Sequence, residues 1–315
     1  MTMDQGRKKL LIAVDGSDQA MKAVAYTSRM VPADSSEVTL FHVDPQIPES
    51  LWDMEQTPEW RTKLAPLRAW EIQQTRNMAD FMESGKKLFL EAGFPEDAIT
   101  LKARPKKVGI ARDIIAEFAK GYDAIVVGRI GVSAVQEILM GGTANKLINN
   151  IHHAPVVLVG GEPSTDRVLM GFDGSEGSLK AVRRVGSLLG AGTKEVVICN
   201  VIRGLNIIYG RYGFIFDDVK ESEWISDHKS WIAPKITMAE ESLYEIGYSK
   251  EKVSHMYLTD ASSRAASLVE EARRAGFGSI VMGRRGLSIV EEFIMGRVSK
   301  KVVQLATDRA VWVMS

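Results

Sequence analysis

One fourteen-residue pattern occurs twice in this 315-residue chain, at corresponding places in two similar halves. Residues 128–141 read GRIGVSAVQEILMG and residues 283–296 read GRRGLSIVEEFIMG, with eight of the fourteen positions identical. A second pair, LLIAVDGSDQAMKAV (10–24) and VLMGFDGSEGSLKAV (168–182), shares DGS, four intervening residues and KAV. Asp15 and Asp173 are 158 positions apart and Gly128 and Gly283 are 155 apart, so the offset drifts by only three. So constant an offset implies two copies of a domain of about 150 residues, here 1–160 and 161–315.

Within each half, apolar runs alternate with helical periodicity, which predicts βαβ units and a mainly parallel sheet. The expected strands are 9–14, 37–43, 99–103, 123–127 and 155–159, then 167–172, 195–201, 253–258, 279–282 and 310–314. Ile110, Ile114 and Phe118 form one helical stripe, and Leu268, Val269 and Ala272 form its counterpart. The fold class expected is α/β: two tandem open-sheet domains of five mostly parallel strands with helices on both faces. GGEPSTDR (160–167) reads as a short hinge between them.

Forty basic and forty acidic residues balance, so bulk nucleic-acid binding has no electrostatic support. No apolar run approaches the roughly 20 residues of a membrane span, and the N-terminus has no secretory apolar region. The single cysteine, Cys199, lies in a strand-like run and reads as core. A cytoplasmic setting is expected from that cysteine usage.

Each glycine pattern follows a buried strand and precedes a helix, the arrangement of a phosphate cradle. Glycine lets bare backbone amides approach an anion, and the helix start adds free donors. The cradle should meet the end of the first strand, where Asp15-Gly16-Ser17 stands, at the topological switch point. Asp15 can accept from ribose hydroxyls or hold a phosphate-bound Mg²⁺ through water. Ser17 can cap the following helix, and a plain capping turn would explain DGS as well.

With these residues in view, the chain resembles a tandem universal stress protein over nearly its whole length. ATP-binding members of that family carry G-x2-G-x9-G followed by Ser or Thr. Gly128, Gly131 and Gly141 keep that spacing, as do Gly283, Gly286 and Gly296. The resemblance implies a Rossmann-like, adenine nucleotide alpha hydrolase-like fold and ATP or AMP as ligand. It implies that Asp15 contacts ribose and phosphate, that Val43 offers backbone groups to adenine, and that Gly128, Gly131, Gly141, Gly142 and Thr143 cradle phosphates. The second-half counterparts are Asp173, Val201, Gly283, Gly286, Gly296 and Arg297. It further implies that strands 155–159 and 310–314 pair within one polypeptide, Val156, Val157 and Leu158 against Val311, Trp312 and Val313, making an intrachain pseudo-dimer. Whether two chains associate further stays open.

Both copies depart from the motif where Ser or Thr is expected, with Gly142 in the first and Arg297 in the second. Thr143 offers a replacement hydroxyl. Arg297 can clamp a phosphate or fill the cradle. The first half is therefore the expected working site, and the second is degenerate or suited to AMP.

Several features suggest catalysis but have plainer readings. His152 and His153 sit at a helix end, where a histidine can bond terminal carbonyls. The pairs Ser133/Glu137 and Ser288/Glu292 read as capping. HxGH, SGGxDS and P-loop signatures are absent, as is a Cys/His metal constellation. Arg129 is the one obvious cation for phosphoryl transfer. Slow hydrolysis is conceivable; a dedicated enzyme is not indicated, and no catalytic residue is assigned. Five of six tryptophans cluster in or beside 45–66 and 203–234. They would form either helical excursions with tucked rings or lids that nucleotide biases toward an unidentified protein partner. The expected function is thus a nucleotide-dependent regulator. A scaffold that has given up nucleotide is the alternative.

Overall fold

The computed structural model describes residues 6–45, 47, 58–129, 140–192, 194–205, 218–259, 261–286 and 295–314. Gly131, Trp52 and both Ser/Glu pairs lie outside these. In the first half the elements run β1 (Lys8–Ala13), α1 (Asp18–Met30), β2 (Ser36–Asp44), α2 (Pro58–Glu91), β3 (Ile99–Pro105), α3 (Ile110–Phe118), β4 (Ala124–Gly128), α4 (Gly142–Asn150) and β5 (Val156–Val159). The second repeats them as β6 (Arg167–Gly171), α5 (Glu176–Leu189), β7 (Glu195–Val201), α6 (Asp218–Ile246), β8 (Val253–Leu258), α7 (Arg264–Arg274), β9 (Ser279–Gly283), α8 (Arg297–Leu305) and β10 (Ala310–Met314). All ten strands fall within two residues of their expected spans.

The strands form one ten-stranded sheet in the order β3-β2-β1-β4-β5-β10-β9-β6-β7-β8. Pairing is parallel within each half and antiparallel only between β5 and β10. There Val311 faces Leu158, Trp312 faces Val157 and Val313 faces Val156, the seam expected from the resemblance. Joining the two strands covers a sheet edge in each half.

The strands are apolar without alternation because both of their faces are covered. Leu10 and Ile12 feed one core layer with α1, α2, α5 and α6, and Leu11 and Ala13 feed the other with α3, α4, α7 and α8. Both layers run through the seam. There the Trp312 indole donates to the Tyr26 hydroxyl (2.7 Å), which shares a hydrogen bond with Ser279 Oγ (2.7 Å). Arg184 pairs with Asp123 across the halves at 2.8 Å.

Two expectations need correction, and one pair of alternatives narrows. The 160–167 stretch is clasped and is no hinge: the Gly160 amide donates to the Arg309 carbonyl (3.1 Å), and a Cβ on Gly278 would come within 1.9 Å of the Ser164 carbonyl oxygen. Ile110 is exposed, leaving Ala111, Ile114 and Phe118 as the buried face of α3. The tryptophan rings are not all tucked away: Trp60 (37%), Trp70 (53%) and Trp231 (45%) reach solvent. Cys199 is buried and free, and burial pushes its thiol up to about 12.

Candidate functional site

The turn after β1 shows how a three-residue motif builds a rigid corner. Gly16 has φ +81°, the left-handed region open to glycine. The Asp15 carboxylate accepts from the Ser17 amide (3.1 Å) and hydroxyl (2.6 Å), while Ser17 Oγ accepts from the Ala20 amide at the start of α1 (3.1 Å). Asp173, Gly174 and Ser175 repeat this geometry before α5. DGS is therefore a capping turn in both halves, and Asp15 is also exposed at the carboxyl edge of the sheet.

In the first half that edge opens into a cleft of about 1680 Å³. Every described first-half residue expected at the site lines it: Asp15, Val43, Gly128, Gly141, Gly142 and Thr143. The walls come from the ends of β1 and β4, where the sheet order reverses, and from β2 and β3. Gly141 is the N-cap of α4 and has no side chain to bond the free amides of the first turn. Its own amide donates to the Arg129 carbonyl at 2.9 Å. A Cβ at Gly142 would meet nothing within 4 Å, so the position expected to hold Ser or Thr is open.

Gly128 has a different reason for being glycine. A Cβ there would lie 3.0 Å from the Gln19 carbonyl oxygen, and one at Gly283 would lie 2.9 Å from that of Gly177. Both glycines let β4 or β9 approach the start of a helix closely, independently of any ligand.

Sequence reading missed the charged part of the wall. Lys106 follows β3, Arg112 lies in the first turn of α3, and Lys146 lies in the second turn of α4; all three line the cleft with no salt bridge among the described residues. Their signal was positional, since each sits just past the carboxyl end of a strand or one turn into the helix that follows. Lys102 also lines the cleft but is held by the buried Glu117 at 2.5 Å. Burial raises the Glu117 carboxyl, yet hydrogen bonds from Lys102 and Lys120 outweigh it and leave the net shift downward. His42 Nδ1 bonds the Val14 carbonyl (3.0 Å), fixing β2 beside the turn. α2 closes one side through Trp70, Glu71, Gln74, Thr75, Asn77 and Met78.

Arg129 lines the cleft, but its guanidinium reaches across the seam. It is 2% exposed and donates to the carbonyls of Val303, Gln304 (3.3 Å) and Ala306 (3.5 Å) at the end of α8. Arg284 reciprocates, donating to Ile148, Asn149 (3.4 Å) and Ile151 (3.5 Å) at the end of α4. Arg284 thus bonds carbonyls at the helix end where His152 and His153 stand. His153 instead packs against Phe118, with centroids 5.4 Å apart, and burial followed by Arg284 and Arg285 lowers the His152 pKa.

The long helix sits more tightly on the second-half turn than on the first. α6 lies on the Asp173-Gly174-Ser175 turn so closely that a Cβ on Gly174 would meet Ile232 Cδ1 at 2.5 Å and Lys235 Cδ at 2.8 Å. On the first-half turn, the neighbour of Gly16 is Met78 Cε at 3.2 Å. α6 is also tied to the segment after β7: Glu221 accepts from the Leu205 amide (2.9 Å) and Trp224 Nε1 donates to the Arg203 carbonyl (3.0 Å). Asp173 Oδ2 occupies the space a Cβ on Gly286 would take, at 2.2 Å. Gly283 and Val201 are buried, Gly296 caps α8, and Arg297 is exposed. Among the described residues, the closer seating of α6 on the turn distinguishes this half.

The universal stress protein family model matches residues 6–160 and 164–308. A universal stress protein of Mycolicibacterium smegmatis is 24% identical over 306 residues, covering 95% of this chain and 94% of its own. Universal stress protein YxiE of Bacillus subtilis is 26% identical over 160 residues, 48% of this chain and 97% of its own. Among solved structures, a universal stress protein from Archaeoglobus fulgidus superposes with a TM-score of 0.59 at 17% identity, covering 98% of both chains. A functionally unknown protein of Pseudomonas aeruginosa gives 0.54 at 13% identity, covering 98% of this chain and 93% of its own. Those structural likenesses concern the fold alone.

Proposed function

Because the chain belongs to the universal stress protein family, we propose that its first half binds one adenine nucleotide and that occupancy, not turnover, is its purpose. The supporting observation is convergence: Asp15, Val43, Gly128, Gly141, Gly142 and Thr143 come from four separate stretches of sequence and line one open cleft. In this reading the free amides at the start of α4 and the Thr143 hydroxyl receive phosphate oxygens. The Val43 backbone meets adenine, and Asp15 meets ribose or a water on phosphate-bound Mg²⁺. Lys106, Arg112 and Lys146 supply counter-charge to a ligand that brings several negative charges.

In this reading the second-half set, Asp173, Val201, Gly283, Gly286, Gly296 and Arg297, takes no nucleotide while Ile232 and Lys235 of α6 sit on its Asp173-Gly174-Ser175 turn. Fast phosphoryl transfer is not part of the proposal, because the Arg129 guanidinium is engaged across the seam. The regulatory output is assigned to α2. Its Trp70 lines the cleft yet reaches solvent, so a ligand that touches α2 alters the surface a partner would meet. Ligand moves that surface only as far as its affinity differs between two arrangements.

The test is titration calorimetry of ligand-free protein with Mg-ATP and, separately, AMP, with tryptophan emission followed in parallel. One site per chain is expected. Two sites would refute the covered second half. No binding at millimolar nucleotide, weaker than about −4 kcal/mol, would refute the proposal and leave an interaction scaffold.

A further inference from the structure

We infer that Arg284, a residue of the second half, is a positioning residue for the phosphate end of the first-half cleft. On this view the half that takes no nucleotide holds the geometry of the half that does. The inference rests on the nucleotide reading above.

The physical case begins with the shortness of α4. A nine-residue helix spans about 13 Å and lies below the roughly 12–15 residues at which isolated helices become even marginal in water. Its placement must therefore come from tertiary contacts. It buries only Ala144, Leu147 and Ile148. At its N-terminal end, the Gly141 amide is held by the Arg129 carbonyl at 2.9 Å. At its C-terminal end the holding group is the Arg284 fork, which reaches three of the last carbonyls from the other half.

Arg284 is itself fixed. It is 1% exposed, its amide donates to the Met314 carbonyl, and its carbonyl accepts from the Gly296 amide (2.9 Å). A cation at the C-terminus also complements the helix dipole, whose positive end faces the proposed phosphates. Moving this anchor would shift or tilt α4 as a unit, and with it the amides of Gly142, Thr143 and Ala144. Arg129 makes the symmetry-related contact with α8, which begins at Arg297.

A purely structural role for Arg284 would weaken the seam without a specific effect on binding. Arg284→Gln and Arg284→Lys are therefore compared with Tyr26→Phe, which weakens the same seam away from α4. The readouts are Mg-ATP affinity, thermal midpoint, and amide hydrogen exchange across α4 without nucleotide. Expected for Arg284→Gln is roughly three- to thirty-fold weaker Mg-ATP binding with faster exchange in α4. Arg284→Lys should fall between, since an ammonium cannot reproduce the two-armed fork. Tyr26→Phe should lower the midpoint and leave affinity within about twofold.

Equal weakening by Arg284→Gln and Tyr26→Phe, or unchanged affinity in Arg284→Gln, overturns the inference and leaves nucleotide binding standing. Wild-type protein that binds no nucleotide overturns the underlying reading, and this inference with it. If Arg284→Gln does not fold, the comparison of Arg284→Lys with Tyr26→Phe decides by the same criteria.

Discussion

Replacing Tyr26 by Phe removes one oxygen from the seam and should lower the unfolding free energy by about 2–4 kcal/mol. Tyr26, Ser279 and Trp312 are all fully buried, and the Tyr26 hydroxyl accepts from the Trp312 indole at 2.7 Å while sharing a hydrogen bond with Ser279 Oγ at 2.7 Å. An indole N–H can only donate, so without the oxygen it carries its desolvation cost alone, about 1–3 kcal/mol. Ser279 can turn its hydroxyl, but it loses the same partner and adds a similar or smaller amount. The aromatic ring is retained, so no sizeable cavity opens and the loss is polar. Urea unfolding followed by circular dichroism checks this. The midpoint should fall at constant slope, with a thermal shift of about 4–8 °C. A loss below about 0.5 kcal/mol, as expected for a surface change, would show that these groups are not desolvated and that the halves do not share a closed core.

Three further outcomes are expected. Gly142→Arg should fold with stability within about 0.5 kcal/mol of wild type, because no atom lies within 4 Å of its Cβ position, yet lose nucleotide binding in calorimetry; retained affinity would refute the assignment of α4's first turn. Ile232→Ala with Lys235→Ala should uncover the second-half turn and raise stoichiometry from one site per chain to two, whereas Arg297→Ser alone should add none; a second site from Arg297→Ser would restore the plug. Stability should fall on the alkaline side. Burial raises the Cys199 thiol from 9.0 to about 12 and raises the Tyr26 and Tyr248 hydroxyls from 10.0. Each group holds its proton more tightly when folded, so its contribution is whole below its unfolded pKa and is lost as pH rises through the folded value. Urea midpoints that stay level from pH 8.5 to 11 would contradict this.

Much of the molecule was legible in the sequence because local chemistry repeats at a fixed offset. Apolar runs without alternation specify strands covered on both faces, and DGS specifies a turn and a cap from three residues, at Asp15 and again at Asp173. A glycine pattern after a strand marks where backbone must come close. The sequence also supplied the glycines that line the cleft, although Gly128 serves helix packing as well as the wall.

What the sequence could not determine is which groups face one another across the two halves. Arg129 and Arg284 stand at equivalent places in twin motifs, and Arg129 reads from sequence as a cation for phosphoryl transfer. Only the antiparallel meeting of β5 and β10 turns each toward a helix end of the other half. The tighter seating of the long helix on the second-half turn has the same origin. Met78 and Lys235 occupy similar positions on long helices, and the seating of α6 by Ile232, Glu221 and Trp224 is a sum of contacts between segments far apart in the chain. Periodicity and motif spacing report interactions along the chain. Burial, charge pairing and the closing of a cleft are settled by neighbours that the linear order does not contain.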